Sequence, residues 1–189
     1  MHPKLKLYFE ERSQISEERL NTLAPYFKER TYRKNEYLLR EGEVCKHNYF
    51  VVSGCMRLFS VNKEGVENTR YFAFEGKFGT CFTSLISRQP AFESIQCVEE
   101  STILSIHRDD FYQLVETEPA VNAIYRKILE SAYITTQKRI YDFQGSDSLQ
   151  RVKWLMAHQP TILSRLSNKI IASYLGITPY TLSRIKAKL

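Results

Sequence analysis

The stretch "EYLLREGEVCKHNYFVVSGCMRLFSVNKEGVENTRYFAFEGKFGT", residues 36–80, is rich in Tyr, Phe and Val and is interrupted by five glycines. Short apolar runs separated by glycine predict antiparallel strands joined by turns. Within it, "NKEGVEN" is a hairpin candidate, in which Gly65 can adopt a positive φ. A further strand pair is predicted in "SIQCVEESTILSIH", residues 94–107. So many short strands favour a small barrel or a rolled sheet.

Helical patterns flank this region. "SEERLNTLAPYFKERTY", residues 16–32, predicts a helix capped by Ser16, and "RDDFYQLVETEP", residues 108–119, predicts a short one. The following segment, residues 118–143, has no glycine or proline after Pro119, which suits a first helical turn. This predicts one long helix, and "QGSDS", residues 144–148, is a predicted hinge or linker.

The long helix has one apolar stripe at spacings of mostly three and four. Its members are Val121, Tyr125, Ile128, Leu129, Ala132, Thr136, Ile140 and Phe143. The stripe could pack against its own domain or against the same helix of a second subunit. Its length favours the second alternative, so the protein is predicted to be a homodimer through this stripe.

Charge is distributed unevenly along the chain. Residues 145–189 contain seven basic side chains and one acidic side chain, Asp147, and so carry the whole formal net charge of +6. The first 144 residues are neutral. This asymmetry indicates a polyanionic partner for the last quarter alone, although a solvated basic face would have the same composition.

The C-terminal stretch "LSNKIIASYLGITPYTLSRIKAKL", residues 166–189, has the pattern of a helix–turn–helix. Ser167 or Asn168 can cap a first helix, and Gly176 can end it in the left-handed conformation. Thr178 can cap a second helix, with Pro179 at its first position. A preceding helix is predicted in "LQRVKWLMAHQP", residues 149–160, where Pro160 ends it.

The exposed face of the second helix suits double-stranded DNA. Arginine can bond guanine with two hydrogen bonds, and hydroxyl groups can contact phosphates or base edges. The predicted base readers are Thr178, Tyr180, Thr181 and Arg184, with Ser183 on the flank. The predicted phosphate contacts are Lys169, Lys186 and Lys188. Sequence-specific DNA binding is therefore the leading hypothesis.

Several other classes of protein are disfavoured. The four cysteines (Cys45, Cys55, Cys81 and Cys97) form no CxxC pair, and the histidines show no metal-ligand spacing, so neither a metal nor a cofactor is predicted. No run of about 18 apolar residues is present, and the N-terminus lacks the pattern of a signal peptide. We therefore expect a cytoplasmic protein without a membrane partner.

The order of these elements resembles the Crp/Fnr transcription regulators. "YLLREGEVCKHNYFVVSGCMRLF" is similar to the family's cyclic-nucleotide-binding roll, and "IASYLGITPYTLSRIKAKL" is similar to its recognition motif, with Arg184 at the position of a base-reading arginine. Pro179 and Tyr180 replace two further polar readers. The resemblance adds RNA polymerase as a candidate partner.

The resemblance implies an α+β fold in three parts. Residues 1–117 would form an N-terminal helix and a double-stranded β-helix or jelly roll of the cyclic-nucleotide-binding type, which senses an effector. Residues 118–144 would form a dimerisation helix, and residues 145–189 an all-α, winged-helix-like helix–turn–helix domain. Two recognition helices would then enter successive major grooves about 34 Å apart.

The effector pocket departs from the family pattern. In cyclic-nucleotide binders an arginine followed by Ser or Thr pairs with the phosphate, and a glutamate holds the ribose. In "FGTCFTSLISRQPAFESIQCV", residues 78–98, the arginine position is Glu93, before Ser94, and the glutamate position is Thr80 or Thr83. Arg88 is the nearest substitute cation. An acidic group where an anion would bind is unfavourable, so cyclic AMP binding is not expected and the effector is unknown.

Two alternatives to a DNA-binding regulator account for parts of the sequence. In the first, the roll is a ligand-binding module for a cyclic-nucleotide-like molecule, and its basic tail contacts a protein partner. In the second, the chain is an enzyme on a cupin-like barrel. That chemistry needs clustered metal ligands, whereas His47 stands alone among the predicted strands, so the protein is expected not to be an enzyme.

Overall fold

The computed structural model describes residues 1–188, with the side chains of all of these except residue 142. Eight strands of the described residues form two four-stranded sheets, with the orders β1-β8-β3-β6 and β2-β7-β4-β5. The strands are β1 Lys28–Tyr32, β2 Tyr37–Leu39, β3 His47–Ser53, β4 Met56–Val61, β5 Glu67–Ala73, β6 Phe78–Gly79, β7 Ser94–Cys97 and β8 Ser101–His107. The predicted roll is confirmed.

Strand β3 lies between two cores, which explains its run of four successive apolar side chains at residues 49–52. Successive side chains of a strand point to opposite faces. Tyr49 and Val51 belong to a core formed by residues of both sheets. Phe50 and Val52 belong to a second core, formed with helices packed on the outer face of the sheet.

Gly54 makes the tight turn between β3 and β4. Its φ is +86°, and a Cβ atom built on it would lie 2.5 Å from the carbonyl oxygen of Glu100. Only glycine combines a positive φ with so close an approach of another backbone segment. The pair Ser53 and Gly54 therefore marks a point where two corners of the roll meet.

The described residues contain nine α-helices and one 3-10 turn, Ala24–Tyr26. The helices are α1 Pro3–Glu10, α2 Glu17–Leu23, α3 Phe82–Ser87, α4 Arg108–Thr117, α5 Pro119–Gly145, α6 Ser148–His158, α7 Ile162–Arg165, α8 Asn168–Leu175 and α9 Pro179–Lys186. The predicted long helix is confirmed as α5. Only Ser146 and Asp147 separate it from α6, whose N-terminus Asp147 caps in a capping box with Gln150.

Three expectations need correction. The helix predicted over residues 16–32 ends at Leu23, because residues 28–32 pair with β8 as strand β1. The strands predicted as a pair in residues 94–107 both exist, but β7 and β8 lie in different sheets. Between residues 130 and 188 the structure describes helices and turns only, so no strand of a wing is present in that range.

The chain divides into two compact units. The first comprises Met1–Ser60 and Tyr71–Leu129, and the second comprises Val61–Arg70 and Glu130–Leu189. The tip of the β4–β5 hairpin thus belongs to the same unit as the C-terminal helices. Among the described residues, no helix combines the length and hydrophobicity that crossing a membrane requires.

Candidate nucleic-acid interface

Helices α8 and α9 are joined by a tight turn. The Ser167 hydroxyl accepts a hydrogen bond from the Ile170 N–H at the start of α8, and the Thr178 hydroxyl accepts one from the Thr181 N–H, at 3.0 Å, at the start of α9. Between them Gly176 has φ +65°. Each cap therefore occupies the position that the sequence pattern predicts, and only Gly176 and Ile177 lie between α8 and the cap of α9.

The inner faces of these helices pack into a small core. Leu182 of α9 is fully buried, as are Ile171 and Ala172 of α8. Val152 and Leu155 of α6, Ile162 of α7 and Leu166 are also buried, and α6 and α7 pack against these helices. Burial of this face leaves the opposite face of α9 to solvent.

The exposed face of α9 contains the residues expected to contact DNA. Tyr180 and Arg184 are exposed and four residues apart, which places them on one side of α9, and the exposed Lys188 lies in the turn that follows the helix. The Arg184 guanidinium lies 5.8 Å from the centre of the Tyr180 ring. The two largest side chains on this face are therefore neighbours.

The other predicted contact residues have different surroundings. The hydroxyl groups of Thr178 and Thr181 are bonded to each other at 2.9 Å. Lys169 and Ser183 are exposed, whereas Lys186 is half-buried. Asn168 bridges Ser183 and Lys186. Its side-chain amide donates to the Ser183 hydroxyl and accepts from the Lys186 ammonium, each at 3.1 Å. Sequence reasoning considered Asn168 only as a cap, whereas it joins α8 to α9.

Replacing Gly176 with alanine is expected to destabilise the C-terminal unit. A left-handed conformation costs a residue with a Cβ about 1–2 kcal/mol, and the added atom would lie 2.6 Å from the Phe143 ring. Gly145→Ala is the matched control, because a Cβ there meets nothing within 4 Å. Urea unfolding should show a lower midpoint for Gly176→Ala only. Equal midpoints for the two variants would contradict this role of Gly176.

The residues predicted to form an effector pocket are only partly brought together. Thr80, Glu93 and Ser94 are buried, whereas Thr83 and Arg88 are exposed. The Thr80 hydroxyl donates to the His47 carbonyl at 2.8 Å, and the Ser94 hydroxyl accepts from the Glu41 N–H at 2.9 Å. These hydroxyl groups hold neighbouring segments of the roll together.

The two charged residues of this set have their own partners. The Glu93 carboxyl group lies beside the Cys81 thiol, whose pKa is raised mainly by burial and further by this carboxyl group. Arg88 donates to the Asp109 carboxylate at 3.2 Å, on the surface. Arg88, the nearest possible substitute for the family's phosphate-binding arginine, is therefore paired with Asp109.

The stripe predicted for dimerisation divides along α5. Val121 is buried in the helix-packed core, and Tyr125 and Ile128 are half-buried and pack on it. Leu129, Ala132, Thr136 and Ile140 are exposed. The stripe thus packs on its own domain before residue 129, and pairing of the exposed remainder with a second subunit stays a prediction.

The exposed part of α5 contains large apolar side chains, of which Tyr133 is not a member of the predicted stripe. Tyr133 is 67% exposed and Ile140 is 47% exposed. The series Leu129, Tyr133, Thr136, Ile140 and Phe143 has the alternating spacing of four and three that packs two helices in a coiled coil. We call these five residues the α5 seam.

In the described residues, no group of three or more His, Cys, Asp or Glu side chains could hold a metal ion. His47 and His107 are neighbours on β3 and β8, with ring centres 5.3 Å apart. Burial, and secondly His107, lower the pKa of His47. This pair is part of the roll.

Comparisons with known proteins agree with this architecture. Residues 29–118 match the model of the cyclic nucleotide-binding domain family. The cyclic AMP receptor protein of Thermus thermophilus is 28% identical over 108 residues, which is 57% of this chain and 49% of the relative. The chain thus spans about half the length of that relative.

Many solved structures share the fold. FixK2 from Bradyrhizobium japonicum has a TM-score of 0.73 at 20% identity, with 86% of this chain and 84% of that chain covered. A transcriptional regulator of the Crp/Fnr family from Eubacterium rectale has a TM-score of 0.70 at 16% identity, with 90% and 82% covered. At such identities the likeness establishes the fold, and it confirms the Crp/Fnr resemblance at that level.

Proposed function

We propose, from the match of residues 29–118 to the cyclic nucleotide-binding domain model and from the fold that the chain shares with a Crp/Fnr regulator, that the protein is a sequence-specific DNA-binding transcription regulator. It acts as a homodimer. The observation that carries the proposal is the exposed ridge of Tyr180 and Arg184 on a capped second helix whose other face is buried, with the exposed Lys188 just after the helix.

The ridge matches the chemistry of a duplex groove. The guanidinium of Arg184 can bond O6 and N7 of one guanine, and the Tyr180 ring beside it offers apolar contact to a thymine methyl. Lys169 and Lys188 are exposed at the ends of the motif, where they can neutralise phosphates. The relative from Eubacterium rectale is a regulator by name, which favours regulation over catalysis.

Dimerisation supports the proposal through the α5 seam. Exposed apolar side chains at coiled-coil spacing are costly in water and are stabilised by pairing with a second copy. A two-fold pair of α9 helices would read an inverted repeat with half-sites about 34 Å apart. RNA polymerase is the further partner that the Crp/Fnr fold suggests for such a regulator.

The direct test is the selection of bound duplexes from a random pool at about 100 mM salt, with a repeat at about 300 mM. We expect an inverted repeat, and an affinity that falls steeply between the two salt concentrations because phosphate contacts release counterions. Recovery of no common sequence would contradict the proposal. Affinity that is independent of salt would contradict the phosphate contacts.

The roll is proposed to sense something other than cyclic AMP, or nothing. The Glu93 carboxyl group offers no cation to a cyclic phosphate, and Arg88 is paired with Asp109. We therefore expect no heat of binding when the protein is titrated with cyclic AMP to millimolar concentration. Saturable one-to-one binding would refute this part of the proposal and leave the DNA-binding part intact.

A further inference from the structure

The tip of the β4–β5 hairpin, Val61–Arg70, is built into the C-terminal unit. Its turn is organised by Asn62, whose side-chain oxygen accepts from the N–H groups of Glu64 and Val66 at 3.1 and 2.8 Å. After the turn, Thr69 is almost fully buried, at 1% exposure. The hairpin is therefore a packed part of this unit.

Arg139 of α5 joins the hairpin to α8. Its guanidinium donates to the carbonyl oxygens of Thr69, at 2.9 Å, and of Arg70 in the hairpin. It also donates to the carbonyl oxygen of Tyr174 in α8, at 2.9 Å, and lies 4.2 Å from the centre of the Tyr174 ring. One side chain thus connects three segments that are distant in sequence.

A second bond connects the same two segments directly. The hydroxyl oxygens of Thr69 and Ser173 lie 2.6 Å apart. The Ser173 hydroxyl donates its one proton to the Ile170 carbonyl at 2.7 Å, so Thr69 is the donor to Ser173. The hairpin consequently holds α8 by a side-chain bond as well as through Arg139.

The carbonyl group that Arg139 binds is at the end of α8, immediately before the turn to α9. The last carbonyl groups of a helix have no partner within the helix. Arg139 supplies one for Tyr174, and Arg151 of α6 supplies one for Leu175 at 3.2 Å. Cations are also favourable at a helix C-terminus. Because only Gly176 and Ile177 separate α8 from the cap of α9, fixing this end fixes the start of α9.

We infer that Arg139 is a positioning residue for DNA recognition, which holds α8 against the backbone of the β4–β5 hairpin and thereby sets the orientation of the recognition helix α9. The inference rests on the proposed function. Arg139 need not touch DNA, since its donors are directed at carbonyl groups of the protein.

The test compares Arg139→Met with Lys138→Met in the full chain. Lys138 is the exposed neighbour on α5, so both variants lose one positive charge and keep an unbranched side chain. Arg139→Met should lower affinity for the selected operator by about tenfold or more, because it removes several hydrogen bonds from a charged donor. Affinity for unrelated duplexes and the slope of affinity against salt should stay close to those of Lys138→Met.

A cross-link distinguishes positioning from a general loss of stability. The hydroxyl groups of Thr69 and Ser173 face each other, so Thr69→Cys with Ser173→Cys can form a disulfide, and the four native cysteines are buried. In the Arg139→Met background, oxidation of this pair should restore most of the operator affinity, and reduction should abolish the restoration. An oxidised variant that stays as weak as Arg139→Met overturns the inference.

Hydrogen exchange tests, without DNA, whether Arg139 holds α8 against the hairpin. Peptides covering residues 168–186 should exchange faster in Arg139→Met than in Lys138→Met, with the roll unchanged. Equal exchange in the two variants, or equal operator affinity, would overturn the positioning role. If the wild-type protein selects no operator but the exchange difference is present, the proposed function fails, while the role of Arg139 in holding α8 against the hairpin stands.

Discussion

A variant with Tyr133→Asp and Ile140→Asp is expected to be a monomer that no longer binds an inverted repeat with useful affinity. Both side chains lie in the α5 seam and are exposed in the single chain. Burying such a side chain stabilises an interface by about 1.5–3 kcal/mol. The two residues of each subunit make four buried side chains in a dimer, which together stabilise the interface by about 6 kcal/mol or more. Losing this free energy would raise the dimer Kd by about four orders of magnitude.

Light scattering on a sizing column measures the mass directly, and a gel shift with the selected operator measures the consequence. The matched control is Ser131→Asp with Thr135→Asp, since both residues are exposed on α5 outside the seam and the added charge is the same. The control should stay dimeric. A dimeric Tyr133/Ile140 variant would show that the seam is not the interface, whatever the DNA result.

The second large effect concerns Arg184. Its replacement by alanine should abolish the preference for one base pair in each half-site, at a cost of about 1–3 kcal/mol per half-site, because an arginine pairs with guanine through two hydrogen bonds. The affinity for duplexes already mismatched at that base pair should change much less. Binding to a panel of single-base operator variants measures both quantities.

Lys188→Ala is the control for charge, since Lys188 is exposed in the turn just after α9. It should weaken binding to all operator variants alike and reduce the salt slope by about one. Should Arg184→Ala instead weaken all of them equally, Arg184 would be a phosphate contact, and the base reader would have to be sought at Tyr180.

Prediction from sequence succeeded where local chemistry decides the structure. Ser167, Gly176, Thr178 and Pro179 each specify a backbone conformation by themselves, and all four have the predicted places in α8 and α9. The roll was predicted because glycine marks its turns.

Prediction failed where the structure of a segment depends on which distant strand it pairs with. Residues 28–32 have the charges of a surface helix, yet they form β1 because β8 offers an edge to pair with. A short connection between β7 and β8 resembles a hairpin turn, but here it is a corner at which the chain changes sheets. A sequence pattern can predict a turn, but it does not show whether the two strands that the turn joins pair with each other.

The candidate site shows the same division. The ridge on α9 follows from helical spacing, whereas Arg139 and Asn168 act through partners that periodicity does not reveal. Arg139 binds main-chain carbonyl groups, which every residue has, so its partners Thr69 and Tyr174 leave no signature in the sequence. The division of the α5 stripe at Leu129 likewise depends on where the helix-packed core ends.

The interleaving of the two units along the chain has a consequence for modular evolution. A gene fragment that starts at residue 130 would encode the C-terminal helices without Val61–Arg70, the hairpin tip that Arg139 holds. A single crossover near residue 130 would therefore combine helices from one ancestor with a hairpin from another. Chimeras between relatives should retain function most often when both segments are inherited together.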